Sequence, residues 1–120
     1  MKLSTEQALK RSIAAHKDGR LQVAERFYRA ILKIQPEDPD ANHNQATIAI
    51  SLNRADLALP LFKVALDANP KMEQYWLSYT QALDRDSQLV SGLQVVQQGK
   101  RRGIDSESLN YLTAQILANS

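Results

Sequence analysis

The sequence predicts an all-α chain, a right-handed α-solenoid of three helix pairs followed by a C-terminal capping helix. Two observations predict it. The phrase AERFYRAILKIQP, Ala24 to Pro36, is answered by ALPLFKVALDANP, Ala58 to Pro70, so Pro36 and Pro70 stand 34 residues apart. A fixed period of that length marks stacked helix-turn-helix units. Small and large residues then recur on the same period at helical spacings. Chains built this way commonly work as surfaces for other molecules rather than as catalysts.

Aligned on the period, Ala24, Ala58 and Gly92 share one column, and Tyr28, Phe62 and Val96 another. Ile31, Ala65 and Gly99 form a third, Ser12, Ala46 and Thr80 a fourth, and Ala8, Asn42 and Trp76 a fifth. Two antiparallel helices need a small residue where their axes come closest. Ser12, Ala46 and Thr80 supply it on the first helix of each pair, Ala24, Ala58 and Gly92 on the second. A ring one turn on, Tyr28 or Phe62, fills the space beside the crossing. Gly19, Asn53 and Ser87 occupy the turn column, where Gly or Asn accepts left-handed backbone and ends the first helix. Proline after the second helix stops it.

These signals place helices at about 5–18, 21–35, 39–52, 55–68, 73–85 and 89–102. Ser4 is the expected N-cap of the first, with Gln7 in capping-box position. Asp38 or Asp40 serves the third. If Ala55 opens the fourth helix, Pro60 falls just past its first turn and a small kink is expected. A seventh helix should follow Gly103, capped by Asp105 or Ser106, with Leu109, Leu112 and Ile116 forming one apolar stripe. Its expected task is to cover the third pair, with a polar outer side.

The bulk properties exclude several classes. With 120 residues, 43% hydrophobic and 23% charged, the chain suits one soluble domain. A net charge of +2 with a pI near 9.0 does not imply nucleic acid. The absence of cysteine excludes disulfides and cysteine-bound metal. No apolar run follows Lys2, which argues against a secretory signal, and no stretch approaches the ~18–20 apolar residues that span a bilayer. The expectation is a cytoplasmic protein, or a cytoplasmic module of a longer one, and the ending QILANS suits the latter.

Nothing converges on catalysis, and no enzyme activity or cofactor is expected. The four glycines do not cluster into a phosphate loop, and there is no G-x-S-x-G elbow and no carboxylate pair in an obvious cleft. Glu37, Asp38 and Asp40 read as cap and linker acids, not as a calcium loop. His16 and His43 lie on different units without metal-ligand spacing, and both read as partly exposed helix histidines, though His43 could hydrogen-bond a ligand. Trp76 reads as core, and Tyr75 and Tyr79 as interhelix packing. Lys100, Arg101 and Arg102 complement the negative end of a helix dipole. Arg26, Arg29 and Lys33 form a solvated stripe on the convex side.

Over about residues 5–102 these columns resemble the tetratricopeptide repeat (TPR) family. One domain is expected across 1–120, with repeats at about 5–38, 39–72 and 73–105 and the capping helix at about 106–118. The second repeat matches best, through Ala46, Ala49, Ala58, Phe62, Ala65 and Pro70. The first keeps Gly19, Ala24, Tyr28 and Pro36 but has Arg11 where leucine is usual, so a shifted or frayed first helix is expected. The third keeps Trp76 and Leu83 but has Gly92 and Gly99 where alanine is usual, and ends in GKRRGI without proline. Either its second helix is less rigid, or the glycines admit a close neighbour. The phrases AERFYRAILKIQPEDPDANHN and QYWLSYTQAL look like the N-terminal TPR segments of larger bacterial proteins with glycosyltransferase- or sulfotransferase-like domains downstream.

The resemblance implies a concave groove, lined by the first helix of each unit, that binds an extended peptide or a partner helix. In this chain its residues are Leu9, Ile13 and Lys17, then His43, Asn44, Thr47 and Ile50, then Gln74, Ser78, Gln81 and Arg85, with Glu6, Asp40 and Leu77 on the same face. Only Asn44 matches the family's carboxylate clamp. Leu9 and Ile13 replace its first-helix lysine and asparagine, and Gln74 and Ser78 replace its third-unit lysine and arginine, so a chaperone-tail ligand is not implied. The leading expectation is a protein-interaction scaffold with a protein or peptide partner and no membrane. Beside it stand an accessory N-terminal module of a larger enzyme and a self-assembling module that uses the imperfect ends at Arg11, Gly92 and Gly99.

Overall fold

The computed structural model describes residues 3–104 and 106–119. Among the described residues the chain forms seven α-helices and no strand. They are α1 (Thr5–Lys17), α2 (Leu21–Ile34), α3 (Pro39–Ser51), α4 (Ala55–Ala68), α5 (Glu73–Arg85), α6 (Leu89–Arg101) and α7 (Glu107–Ala118). Consecutive helices pack as pairs, and the pairs stack into a right-handed α-solenoid measuring 51 × 28 × 21 Å. Where the expected ends ran one residue long, the extra residue is the C-cap: Asp18, Gln35, Leu52 and Arg102.

The first helices begin on one column, Ser4, Asp38, Met72 and Ser106. Ser4 forms a full capping box with Gln7. The Asp38 carboxylate accepts from Ala41 N at 2.9 Å, and the Ser106 hydroxyl from Leu109 N at 3.0 Å. Asp40 is not the cap of α3, and Asp105 lies outside the described residues. Met72 makes no side-chain cap, so α5 alone of these four starts with its first amides unsupported by a side chain.

Two kinds of joint connect the helices. Within each pair the chain passes through left-handed backbone at Gly19, Asn53 and Ser87. The amides of Arg20, Arg54 and Gln88 then reach back to Ala15, Ala49 and Leu83 at 2.8–2.9 Å, sealing the helix end. Between pairs the chain is extended at Gln35 and Asn69, as a following proline demands. After α6, where no proline follows, the chain instead uses the first kind of joint: Gly103 has φ +89°, and Ile104 N bonds Gly99 O at 2.9 Å.

The small columns sit in the core. Ser12, Ala46 and Thr80 are fully buried, as are Ala24 and Ala58, with Tyr28, Phe62 and Val96 beside them. The apolar clusters run along the axis as a chain rather than as one ball. Asn42 Nδ2 donates to Pro36 O at 3.0 Å, and Trp76 Nε1 donates to Pro70 O at 2.8 Å. Two chemically different side chains in one column thus perform the same task.

Four expectations are corrected or resolved. Helix α1 is neither shifted nor frayed: it begins 34 residues before α3 and buries Ala8, Ser12 and Ala15 in register. Arg11 is exposed and does not disturb the packing of α1 on α2. Helix α4 opens at Ala55 and runs through Pro60. The two glycines of α6 differ. A Cβ on Gly99 would lie 3.2 Å from the Trp76 ring and 3.6 Å from Leu109, so this glycine does admit close neighbours. A Cβ on Gly92 would meet Leu83 at 3.8 Å, an ordinary contact. Helix α7 buries Leu109, Leu112 and Ile116 against the third pair, as expected. Its outer side is not wholly polar, since Tyr111 and Leu117 are exposed there. Among the described residues no helix is long and apolar enough to cross a membrane.

Two outcomes follow for urea denaturation. Met72→Ser should stabilise the chain by about 1 kcal/mol, the worth of an N-cap; no gain would mean that the start of α5 already satisfies its amides. Gly92→Ala should stabilise by about 0.5–1 kcal/mol through helix propensity. Gly99→Ala should gain less than that or lose stability, because its methyl must displace the Trp76 ring. Equal gains at both positions would contradict the packing described.

Candidate functional site

Stacking the second pair on the third brings α3 beside α5, and a polar relay crosses between them. Gln74 Nε2 donates to Ser78 Oγ at 3.0 Å. Ser78 Oγ lies 2.8 Å from His43 Nε2, and His43 Nδ1 lies 3.2 Å from Asn44 Oδ1. Donors and acceptors close in one order: the Ser78 hydroxyl donates to Nε2, and Nδ1–H donates to Asn44. The imidazole stacks on Tyr75 at 4.8 Å and meets the edge of Phe62 at 5.5 Å. The Tyr75 hydroxyl donates to Asp40 at 2.6 Å.

This surrounding shifts three groups. Burial lowers the His43 pKa from 6.5, with Asn44 and Asp40 pulling the other way. Burial, then the bond to the Asp40 carboxylate, raises that of Tyr75. Burial also raises that of Tyr28, whose hydroxyl lies towards Asn44 without a hydrogen bond.

Next to the relay is a socket of about 110 Å³. Phe62 and Ala82, both nearly inaccessible, line its depth, and Thr47, Ile50, Ser78, Gln81 and Arg85 line the rest. It has room for a few waters or one small apolar side chain. A second, wider cavity of about 280 Å³ shares Ile50 and Arg85 and adds Asn53, Asp56 and Asp86. Among the described residues Arg85 makes no ion pair.

Five of the groove residues named from sequence therefore surround one socket: Thr47, Ile50, Ser78, Gln81 and Arg85. His43 and Ser78 are buried and bonded to each other rather than presented to solvent, which corrects the reading of His43 as a partly exposed histidine. Asn44 is half-buried and engaged with His43, and Gln74 is exposed and engaged with Ser78. Leu9 and Ile13 are half-buried on α1, and Lys17 is exposed at its end; none of them lines the socket. Tyr75 and Trp76 are core, as read. Sequence reasoning missed Phe62 and Ala82 as socket residues. The signal available was the column of Phe62, which places a ring directly behind the first helices. Among the described residues no group of three or more His, Asp or Glu side chains could hold a metal ion.

Comparison with known proteins gives a consistent likeness. The sequence matches the tetratricopeptide repeat family over residues 15–82, more than half of the chain. No curated protein sequence matches. The Sgt2 TPR domain of Aspergillus fumigatus superposes with a TM-score of 0.82 at 15% identity, covering 96% of this chain and 78% of that one. The first TPR of Spaghetti, solved with an HSP90 peptide, gives 0.82 at 14% identity, with 98% and 95% covered. The O-GlcNAc transferase of Thermobaculum terrenum gives 0.80 at 18% identity, covering 100% of this chain and 24% of that one. At these identities the likeness is one of fold.

The relay predicts a pH dependence. The folded-state pKa of His43 lies below its unfolded value of 6.5, so the unfolded chain takes up the proton first. Stability contributed by neutral His43 is complete above about pH 6.5 and falls as the pH drops towards the folded value. Urea midpoints at pH 7.5 and 5.5 should differ more for the native chain than for His43→Gln. Equal differences would place the pH response elsewhere.

Proposed function

The chain belongs to the tetratricopeptide repeat family, and on that footing we propose that it is a protein-interaction scaffold which binds an extended peptide or partner helix along the groove side of α1, α3 and α5. The fold is one on which interaction surfaces are built, and it supports an interaction module without naming a partner. One observation carries the finer reading: the socket over Phe62 and Ala82, walled by polar side chains and edged by the unpaired Arg85. An apolar anchor with a few polar groups around it is the arrangement by which concave sites orient ligands. The relay behind it holds α3 and α5 at a fixed separation, so the socket exists before a ligand arrives and less ordering is needed on binding.

The ligand is not read as a chaperone-tail carboxylate. Leu9, Ile13, Gln74 and Ser78 stand where a clamp would need cations and amides, and Asn44 is engaged with His43. The HSP90 peptide is a feature of the Spaghetti structure and is not carried over to this chain. A second reading is an accessory N-terminal module of a larger glycosyltransferase- or sulfotransferase-like enzyme. It is favoured by the likeness of the whole chain to about a quarter of the O-GlcNAc transferase, and the reading frame beyond Ser120 decides it.

The test is selection from a random peptide library on the immobilised chain. Enriched peptides should bind the native chain, and Thr47→Arg and Gln81→Arg should each weaken them at least about tenfold, or 1.4 kcal/mol, with thermal stability unchanged. Binding that survives both groove variants but is lost on Lys100→Glu and Arg102→Glu would move the site to the basic end of α6.

A further inference from the structure

The first helix of a pair has two working faces. Helix α1 packs on α2, and its buried residues are Ala8, Ser12 and Ala15. That face is turned to the helix's own partner. Helix α7 packs on α5 and α6, and its buried residues are Leu109, Leu112 and Ile116. That face is turned to the preceding pair. Helices α3 and α5 bury both: Asn42, Ala46 and Ala49 with Ala41 and Ile48, and Trp76, Thr80 and Leu83 with Tyr75, Ser78 and Ala82.

Helix α7 stays on the repeat register. Thr5, Pro39, Glu73 and Glu107 open the four first helices at 34-residue steps. Its second face is therefore Asn110, Ala114 and Leu117, with Tyr111 and Ala118 at its edges, and all five residues are exposed. Ala114 stands in the column of Ser12, Ala46 and Thr80, where a second helix crosses closely. At the opposite end of the solenoid the uncovered face of α1 consists of Gln7, Lys10, Arg11 and Ala14, a surface suited to water. Tyr111 is 66% exposed and Leu117 54%, in contrast with the mostly polar face of α1.

We propose that the outer face of α7 is a docking face for one amphipathic helix, lying antiparallel to α7 in the place that α2, α4 and α6 take on the other first helices. Its chemistry is set by those three occupants. It carries a small residue at the crossing and a bulkier apolar one four positions on, as in Ala24 and Tyr28, Ala58 and Phe62, Gly92 and Val96. In each place where this face recurs in the chain, a helix of that kind covers it. Cationic Lys10 and Arg11 disfavour the alternative in which the α1 end of a second copy stacks on α7.

The probe is the chain's own second helix. The segment Gly19 to Pro36 is appended after Ser120, which sets its glycine on the turn column. Docking on α7 should raise the thermal midpoint of the full chain by about 4 °C or more, without changing its monomer mass by light scattering. Ala114→Gln should leave the unextended chain unaltered, because Ala114 is exposed, and should abolish the gain in the extended one. An extension that gives no rise, or a rise that Ala114→Gln does not reduce, would overturn the proposal. So would an unextended dimer that Tyr111→Glu dissociates, since the face would then belong to a second copy.

Discussion

The step from one helix pair to the next rests on a side-chain donor that reaches back to the proline carbonyl closing the previous pair. Asn42 supplies it to Pro36 and Trp76 to Pro70. Each proline stands just past its helix, beyond the C-caps Gln35 and Asn69, and keeps the helix from continuing. The donor from the next first helix pairs the proline carbonyl beyond that stop. Because that donor sits on the following helix, the bond fixes where the next pair stands. It is a constraint on geometry as much as a source of stability.

What faces the groove depends on that step. With α3 and α5 held side by side, His43 meets Ser78 and Tyr75 meets Asp40, each partner 35 residues away in the chain. The socket over Phe62 lies along the same seam. Stability and the proposed binding surface thus draw on neighbouring columns of the same helices. Residues such as His43 brace the seam, while Thr47, Gln81 and Arg85 remain available beside it.

Much of this was legible in the sequence because the repeat places residues on faces. The period located the six helices of the three pairs, the left-handed turns at Gly19 and Asn53, and the crossing columns, and the stripe of Leu109, Leu112 and Ile116 located the seventh. Depth was harder to read. His43 and Ser78 lie on the groove face as spacing implies, yet the Phe62 and Tyr75 rings lie against His43, and His43 and Gln74 engage Ser78, and spacing does not measure cover. The shared role of Asn42 and Trp76 was hidden because an amide and an indole look unrelated until both are seen as N–H donors. The joint after α6 was hidden for the opposite reason: the missing proline signalled that the joint changes but not what replaces it. Arg11 read as a defect in the repeat, yet it is exposed on a helix that keeps its register, so it disturbs no packing.

The claim that carries the functional reading is that the seam between α3 and α5 is a preformed binding surface. Backbone amide shift mapping by NMR, with a library-selected peptide titrated into the chain, tests it most directly. The account predicts perturbations clustered at Thr47, Ile50, Gln81 and Arg85, with the His43 ring nitrogens keeping the protonation pattern of the free chain. Perturbations confined to the convex helices or to α7, or a His43 ring that changes its protonation on binding, would contradict it.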